Sequence, residues 1–156
     1  MTREEAILGL QGHFDIRDLV CPHTYNAFGQ RSWQFLSTEL LITILIVREN
    51  ILKTGMIANN WRAGGSFSQR GLRCNLCQIV KDKTDVWDIY LSGHCLGAAI
   101  DFDAIGMAAE EARGIIRENA ILLPNPIRLE VGPAINWVHM DVFNYMNGKI
   151  INEFTA

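Results

Sequence analysis

No segment of this chain is apolar for long enough to cross a bilayer. Its most apolar stretch, Leu40 to Val47, falls far short of the about 20 residues a spanning helix needs and reads as a buried helix. A dense run of lysine or arginine is also missing. With a net charge of -3 and a pI near 5.8, the chain lacks the basic stripe that pairs with phosphates, which excludes nucleic acid as a partner class. Met1-Thr2-Arg3-Glu4-Glu5 leads into no apolar core with a small-residue cleavage site, so no signal peptide is expected. The expectation is a chain made in the cytoplasm, with no membrane span, for which action outside the cell needs another exit route. Internal repeats and low-complexity tracts are absent.

Cysteine is sparse: Cys21, Cys74, Cys77 and Cys95. In a reducing compartment these are expected as free thiols rather than a disulfide framework. Cys74-Asn75-Leu76-Cys77 is a lone CxxC. A structural zinc site wants a second ligand pair, which Cys21 with His23 would supply. A redox pair is the weaker alternative, because no thioredoxin-like βαβ pattern surrounds the cysteines.

What is present is ordinary for a globular chain: 49% apolar and 20% charged residues. A chain of 156 residues forms a single domain by default, burying about 70% of its unfolded surface without a disulfide. Residues 33–53 predict a helix, since Phe35, Leu36, Leu40, Leu41, Ile44, Leu45 and Leu52 recur at three- and four-residue spacing. A short strand is expected over 56–61 and a long loop over 62–85. Residues 97–102 read as a strand and 106–119 as a helix, which Leu123-Pro124-Asn125-Pro126 closes. Strands over 127–131 and 136–142 follow, joined through Gly132-Pro133. Helices early and strands late predict an α+β fold with a small, mainly antiparallel sheet flanked by helices.

Alternation along two of these strands separates apolar from metal-capable side chains. Asp101 and Asp103 share one face while Ile100 and Phe102 share the other; Trp137, His139 and Asp141 share one face against Val138, Met140 and Val142. Only four histidines exist, His13, His23, His94 and His139, and two of them fall in or beside these strands. His94, Asp101 and His139 could together hold one zinc ion with a fourth position open, the arrangement of a hydrolytic rather than a structural site. Gly97, Ala98 and Ala99 permit close approach of backbone or substrate after His94.

Ser92-Gly93-His94-Cys95-Leu96-Gly97-Ala98-Ala99-Ile100-Asp101 resembles the S-x-H-x-x-G-x-A-x-D signature of the zinc D-Ala-D-Ala carboxypeptidases and the phage endolysin L-alanyl-D-glutamate peptidases, which share a fold with the Hedgehog signalling domain. Trp137-Val138-His139-Met140-Asp141 is similar to the second element of that family, W-x-H-x-D. The resemblance covers residues 30–145 and implies a Hedgehog/DD-peptidase-like fold, with His94, Asp101 and His139 as zinc ligands. It also implies an upstream arginine for the substrate carboxylate or the oxyanion. Arg62 in Asn60-Trp61-Arg62 is the first candidate, with Gln69 and Arg70 on the following loop as alternatives and Ser92 as a further substrate contact. An arginine suits that role because its planar fork pairs bidentately with a carboxylate.

The chain departs from the family at the general base. Members place Asp or Glu three residues before the last histidine, where this sequence has Asn136. Two substitutes are available, Glu130, which the hairpin across Gly132-Pro133 could carry beside His139, and Asp141 on the face of His139, and Glu130 is the favoured one. Asp141 is expected to orient an imidazole, with Asp103 a further candidate for such support. Trp61, Trp87 and Trp137 could line a cleft. The resemblance implies a zinc peptidase acting on peptidoglycan or muropeptides containing D-residues, as a carboxypeptidase or as an endolysin that a phage holin releases. The alternative is a catalytically inactive, zinc-containing binding or virion-associated domain of the same fold.

Overall fold

Thr2 opens the first helix by reciprocal capping. Its hydroxyl accepts from the Glu5 N–H at 3.2 Å, and the Glu5 carboxylate accepts from the Thr2 N–H at 2.7 Å. In the computed structural model, which describes residues 1–143 and 145–155, five α-helices precede or interleave with five strands. They are α1 (Arg3–Gln11), α2 (Pro22–Phe28), α3 (Thr38–Ile46), β1 (Met56–Ile57), α4 (Gln78–Lys83), β2 (Ala99–Ala104), α5 (Ala109–Glu118), β3 (Ile127–Glu130), β4 (Val138–Asp141) and β5 (Ile151–Phe154). The sheet order is β1-β2-β4-β3-β5, antiparallel throughout except for the β3–β5 pair. The expected α+β class, with a small sheet flanked by helices, is what the chain adopts.

Several local expectations are corrected. The helix expected over 33–53 is broken: Gly29–Phe35 is a 3-10 turn, Ser37 caps α3 by accepting from the Leu40 N–H, and Val47–Ile51 is a π turn. A new helix starts at Ser37, although the apolar spacing runs on, because its hydroxyl accepts from a helix-start amide. The strand over 56–61 is only Met56–Ile57. The loop over 62–85 contains α4, and β5 and α1 lie where no element was expected.

One face of the sheet is sealed. Ile100, Phe102, Ile127, Leu129, Val138 and Met140 pack with Leu10 of α1, Leu40, Leu41 and Ile44 of α3, and Ala112 and Ile116 of α5, all essentially inaccessible. Each large aliphatic side chain buried this way contributes about 1.5–3 kcal/mol. The other face carries the polar members of the same strands.

Candidate metal centre

Strand register brings the site together. In the β2–β4 pair Asp101 lies directly opposite His139 and Ala99 opposite Asp141. In the β3–β4 pair Arg128 lies opposite Asp141 and Leu129 opposite Met140, and Glu130, next along β3, lines the same cleft as His139. The parallel β3–β5 pair sets Phe154 beside Glu130, and the Phe154 ring meets His139 edge-on at 5.6 Å between centroids.

His94 comes from the turn that precedes β2. Its Nδ1–H donates to the Gly71 carbonyl at 2.8 Å, which leaves Nε2 with a lone pair toward the sheet. Gly93 lets that turn lie flat, because a Cβ there would press on Ala99 and Asp141. Gly97 is required by its φ of +64° and by the Phe35 carbonyl that backs onto it. The close approach foreseen after His94 is therefore to the chain's own backbone.

The donor atoms of His94, Asp101 and His139 lie within 4.8 Å of one another. His94 Nε2 is 3.3 Å from His139 Nδ1 and 3.3 Å from Asp101 Oδ2, and His139 Nδ1 is 2.7 Å from Asp101 Oδ1. Tetrahedral coordination with metal–ligand bonds of about 2.0–2.1 Å separates neighbouring donors by about 3.3 Å, which the two contacts of His94 Nε2 match, while the 2.7 Å contact of His139 with Asp101 is a hydrogen bond whose proton a metal ion would replace. His139 Nε2 faces Asp141 Oδ2 at 3.1 Å. Asp141 is fully buried and is itself gripped by Arg128 through two bonds of 2.8 Å. Each imidazole thus has one nitrogen anchored and the other directed at the common point.

Electrostatics follow from this packing. Burial pushes the His94 pKa down, outweighing its attraction to Asp101. Burial acts the same way on His139, but its hydrogen bonds to Asp101 and Asp141 win and raise it to about 9. Burial works against ionisation of Asp101, yet the two imidazoles hold its carboxyl well below the usual carboxylate range. A protonated His139 donates at both nitrogens; a metal ion would replace the Nδ1 proton.

The three residues line a cleft of about 610 Å³ together with Glu130, Asp141, Ser92, Trp137, Arg73 and Lys83. Arg73 was not foreseen. It follows the Gly71-Leu72 turn, donates to Asp101 Oδ2 at 2.8 Å and is anchored by the Gln69 carbonyl. Its signal in the sequence was only its closeness to Cys74. Arg62 lies elsewhere: it pairs with Asp18 at 3.0 Å and lines a different cavity. Arg70 pairs with Asp103 at 2.6 Å, and both are taken up in that contact rather than supporting an imidazole of the triad. Gln69 and Arg70 line a pocket that adjoins the cleft through Arg73, Asp101 and Trp137. The Gln69 side chain accepts from the Ile79 N–H and fastens α4. Asn136 is exposed and lines another cavity. Trp87 is 93% exposed and Trp61 donates to the Val20 carbonyl, so of the three tryptophans only Trp137 lines the cleft.

A second group of donors could hold a metal ion: Cys21, His23, Cys74 and Cys77, again within 4.8 Å of one another. All four cysteines are free thiols. The facing Cys77 thiol draws the Cys21 pKa down to about 4, and its own pKa is driven up in turn.

No family model, curated protein or solved structure matches the chain. Among the described residues no helix is long and apolar enough to cross a membrane.

Proposed function

We propose that this chain is a zinc metallopeptidase with a Hedgehog/DD-peptidase-like fold, hydrolysing peptide bonds in the D-residue-containing stem peptides of peptidoglycan. The observation that carries the reading is the convergence of His94 Nε2, His139 Nδ1 and the Asp101 carboxylate at tetrahedral spacing on the wall of an open cleft. Two imidazoles and one carboxylate are a donor set that suits zinc and leaves one vertex for solvent. When bound, the ion would acidify water toward a pKa of about 7 and polarise the scissile carbonyl.

The remaining work falls to the chain's own residues. Glu130, which lines the cleft with His139, takes the proton of the attacking water and passes it to the leaving amine. Asp141, steadied by Arg128, fixes the His139 ring. Arg73, rather than Arg62, is the cation beside the reacting centre and neutralises the tetrahedral oxyanion or holds the substrate's terminal carboxylate. Trp137 supplies an apolar wall.

The competing reading, an inactive zinc-containing domain, is favoured by Asn136, which stands at the position where the resembled family has its base and lines another cavity. Release of free amines from purified peptidoglycan or defined muropeptides by the zinc-loaded protein separates the two. Glu130→Gln should lower that release at least about 100-fold while metal content stays unchanged. Zinc-loaded wild-type protein that liberates no amine from any stem peptide would establish the inactive reading.

A further inference from the structure

The CxxC is unused by the proposed chemistry, yet it does not stand alone. Cys21 Sγ lies 3.6 Å from Cys74 Sγ, Cys74 Sγ lies 4.0 Å from Cys77 Sγ, and Cys77 Sγ lies 3.8 Å from His23 Nδ1. A tetrahedral zinc ion with sulfur bonds of about 2.3 Å spaces neighbouring sulfurs about 3.8 Å apart, with nitrogen slightly nearer. Three contacts therefore match the edges of one tetrahedron, although 53 residues separate Cys21 from Cys74. A disulfide would need the sulfurs at about 2.05 Å. Cys21 and Cys77 are buried and pack with Val80, Tyr90 and Cys95, whereas Cys95 is not among the four donors.

We propose that Cys21, His23, Cys74 and Cys77 bind one structural zinc ion that clamps the wall of the cleft to the N-terminal third of the chain. Four protein donors close the coordination sphere, which distinguishes this site from the open-vertex triad. Binding releases the remaining thiol protons to solvent and transfers no electrons. The clamp has a definite target. Cys74 follows Arg73, and Cys77 caps α4, whose Ile79 and Lys83 face the cleft. Among the described residues two backbone hydrogen bonds, Cys21 N–H to the Leu72 carbonyl and Leu72 N–H to the Leu19 carbonyl, join the same two segments directly beside the site. A four-ligand ion there holds Arg73 against Asp101.

The inference does not depend on the peptidase reading, and its test is arranged to keep them apart. Wild-type protein and His139→Ala, each loaded with Co2+ as the only metal, should both show thiolate-to-cobalt charge-transfer absorption. Cys74→Ser and Cys77→Ser should lose it. In the zinc-loaded wild type, iodoacetamide should label Cys95 at least tenfold faster than Cys21, Cys74 or Cys77, and a chelator should abolish the difference. Trypsin should cut after Arg73, Lys81 and Lys83 at least tenfold faster in Cys74→Ser than in His139→Ala. The wild-type measurements stand even if the serine variants fail to fold. Absence of the charge-transfer band, equal labelling with and without chelator, or an intact mass two hydrogens lighter would overturn the zinc site. Unchanged proteolysis in a variant that has lost the band would overturn the clamp.

Discussion

His139 sits between two carboxylates, Asp101 on Nδ1 and Asp141 on Nε2, and this sets a pH window. In the metal-free protein its pKa rises from 6.5 to about 9, so its contribution to stability is complete below pH 6.5 and lost as pH climbs through 9. His94 is shifted the other way by burial and costs stability as pH falls below its unfolded value. Denaturant midpoints of chelated protein should therefore decline from pH 6.5 to 9, and His139→Gln should flatten that decline. A zinc ion bound as proposed would displace the same proton, so titration calorimetry in two buffers should show proton release that persists toward pH 9. The two arginines also divide cleanly. Arg73→Ala should reduce kcat/KM about 100-fold, whereas Arg62→Ala, which removes only a surface pair with Asp18, should leave it unchanged. A steady-state assay of the proposed muropeptide hydrolysis decides both. At this scale the grouping of Asp101 and His139 on one face of the sheet, with Asp141 beside them, was legible from residue type and strand parity. Arg73 was not, because a loop arginine carries no periodic signal.

At the scale of elements, β2 and β4 were readable from alternation: a one-residue slip would turn Asp101 and His139 into the core and Phe102 and Met140 into the cleft. The turn before β2 is held by Gly97, where both a positive φ and the Phe35 carbonyl forbid a side chain. Gly97→Ala should cost about 1–3 kcal/mol and weaken zinc retention with it. Gly64→Ala, in the left-handed region but with open space around it, should cost only about 1 kcal/mol. Urea unfolding of the two variants side by side tests the contrast. The break between the 3-10 turn and α3 escaped the sequence because apolar spacing continues through Ser37, and only its capping bond to Leu40 marks the boundary. The strand β5 escaped because its neighbour β3 is chosen by a distant parallel pairing, which no local pattern encodes.

For the whole molecule, the segment from Gln69 to Lys83 lies between two groups of donors: Arg73 reaches Asp101, while Cys74 and Cys77 face Cys21 and His23. Removing zinc should therefore loosen this segment before the sheet. Stripped protein should melt at a lower temperature than loaded protein, since free zinc at 1,000 times its dissociation constant adds about 4 kcal/mol per site. Calorimetry with and without chelator measures this, and an unchanged melting temperature would contradict it. The sequence by itself determined which strands have a polar and an apolar face, which residues can ligate a metal, and that the chain is α+β, because those follow from residue chemistry and a two-residue period. Only the tertiary structure decided that Arg73 rather than Arg62 stands beside the triad, and that Cys21 and His23 meet the CxxC. Both depend on where long loops close, and loop closure is governed by packing among distant segments rather than by any spacing along the chain.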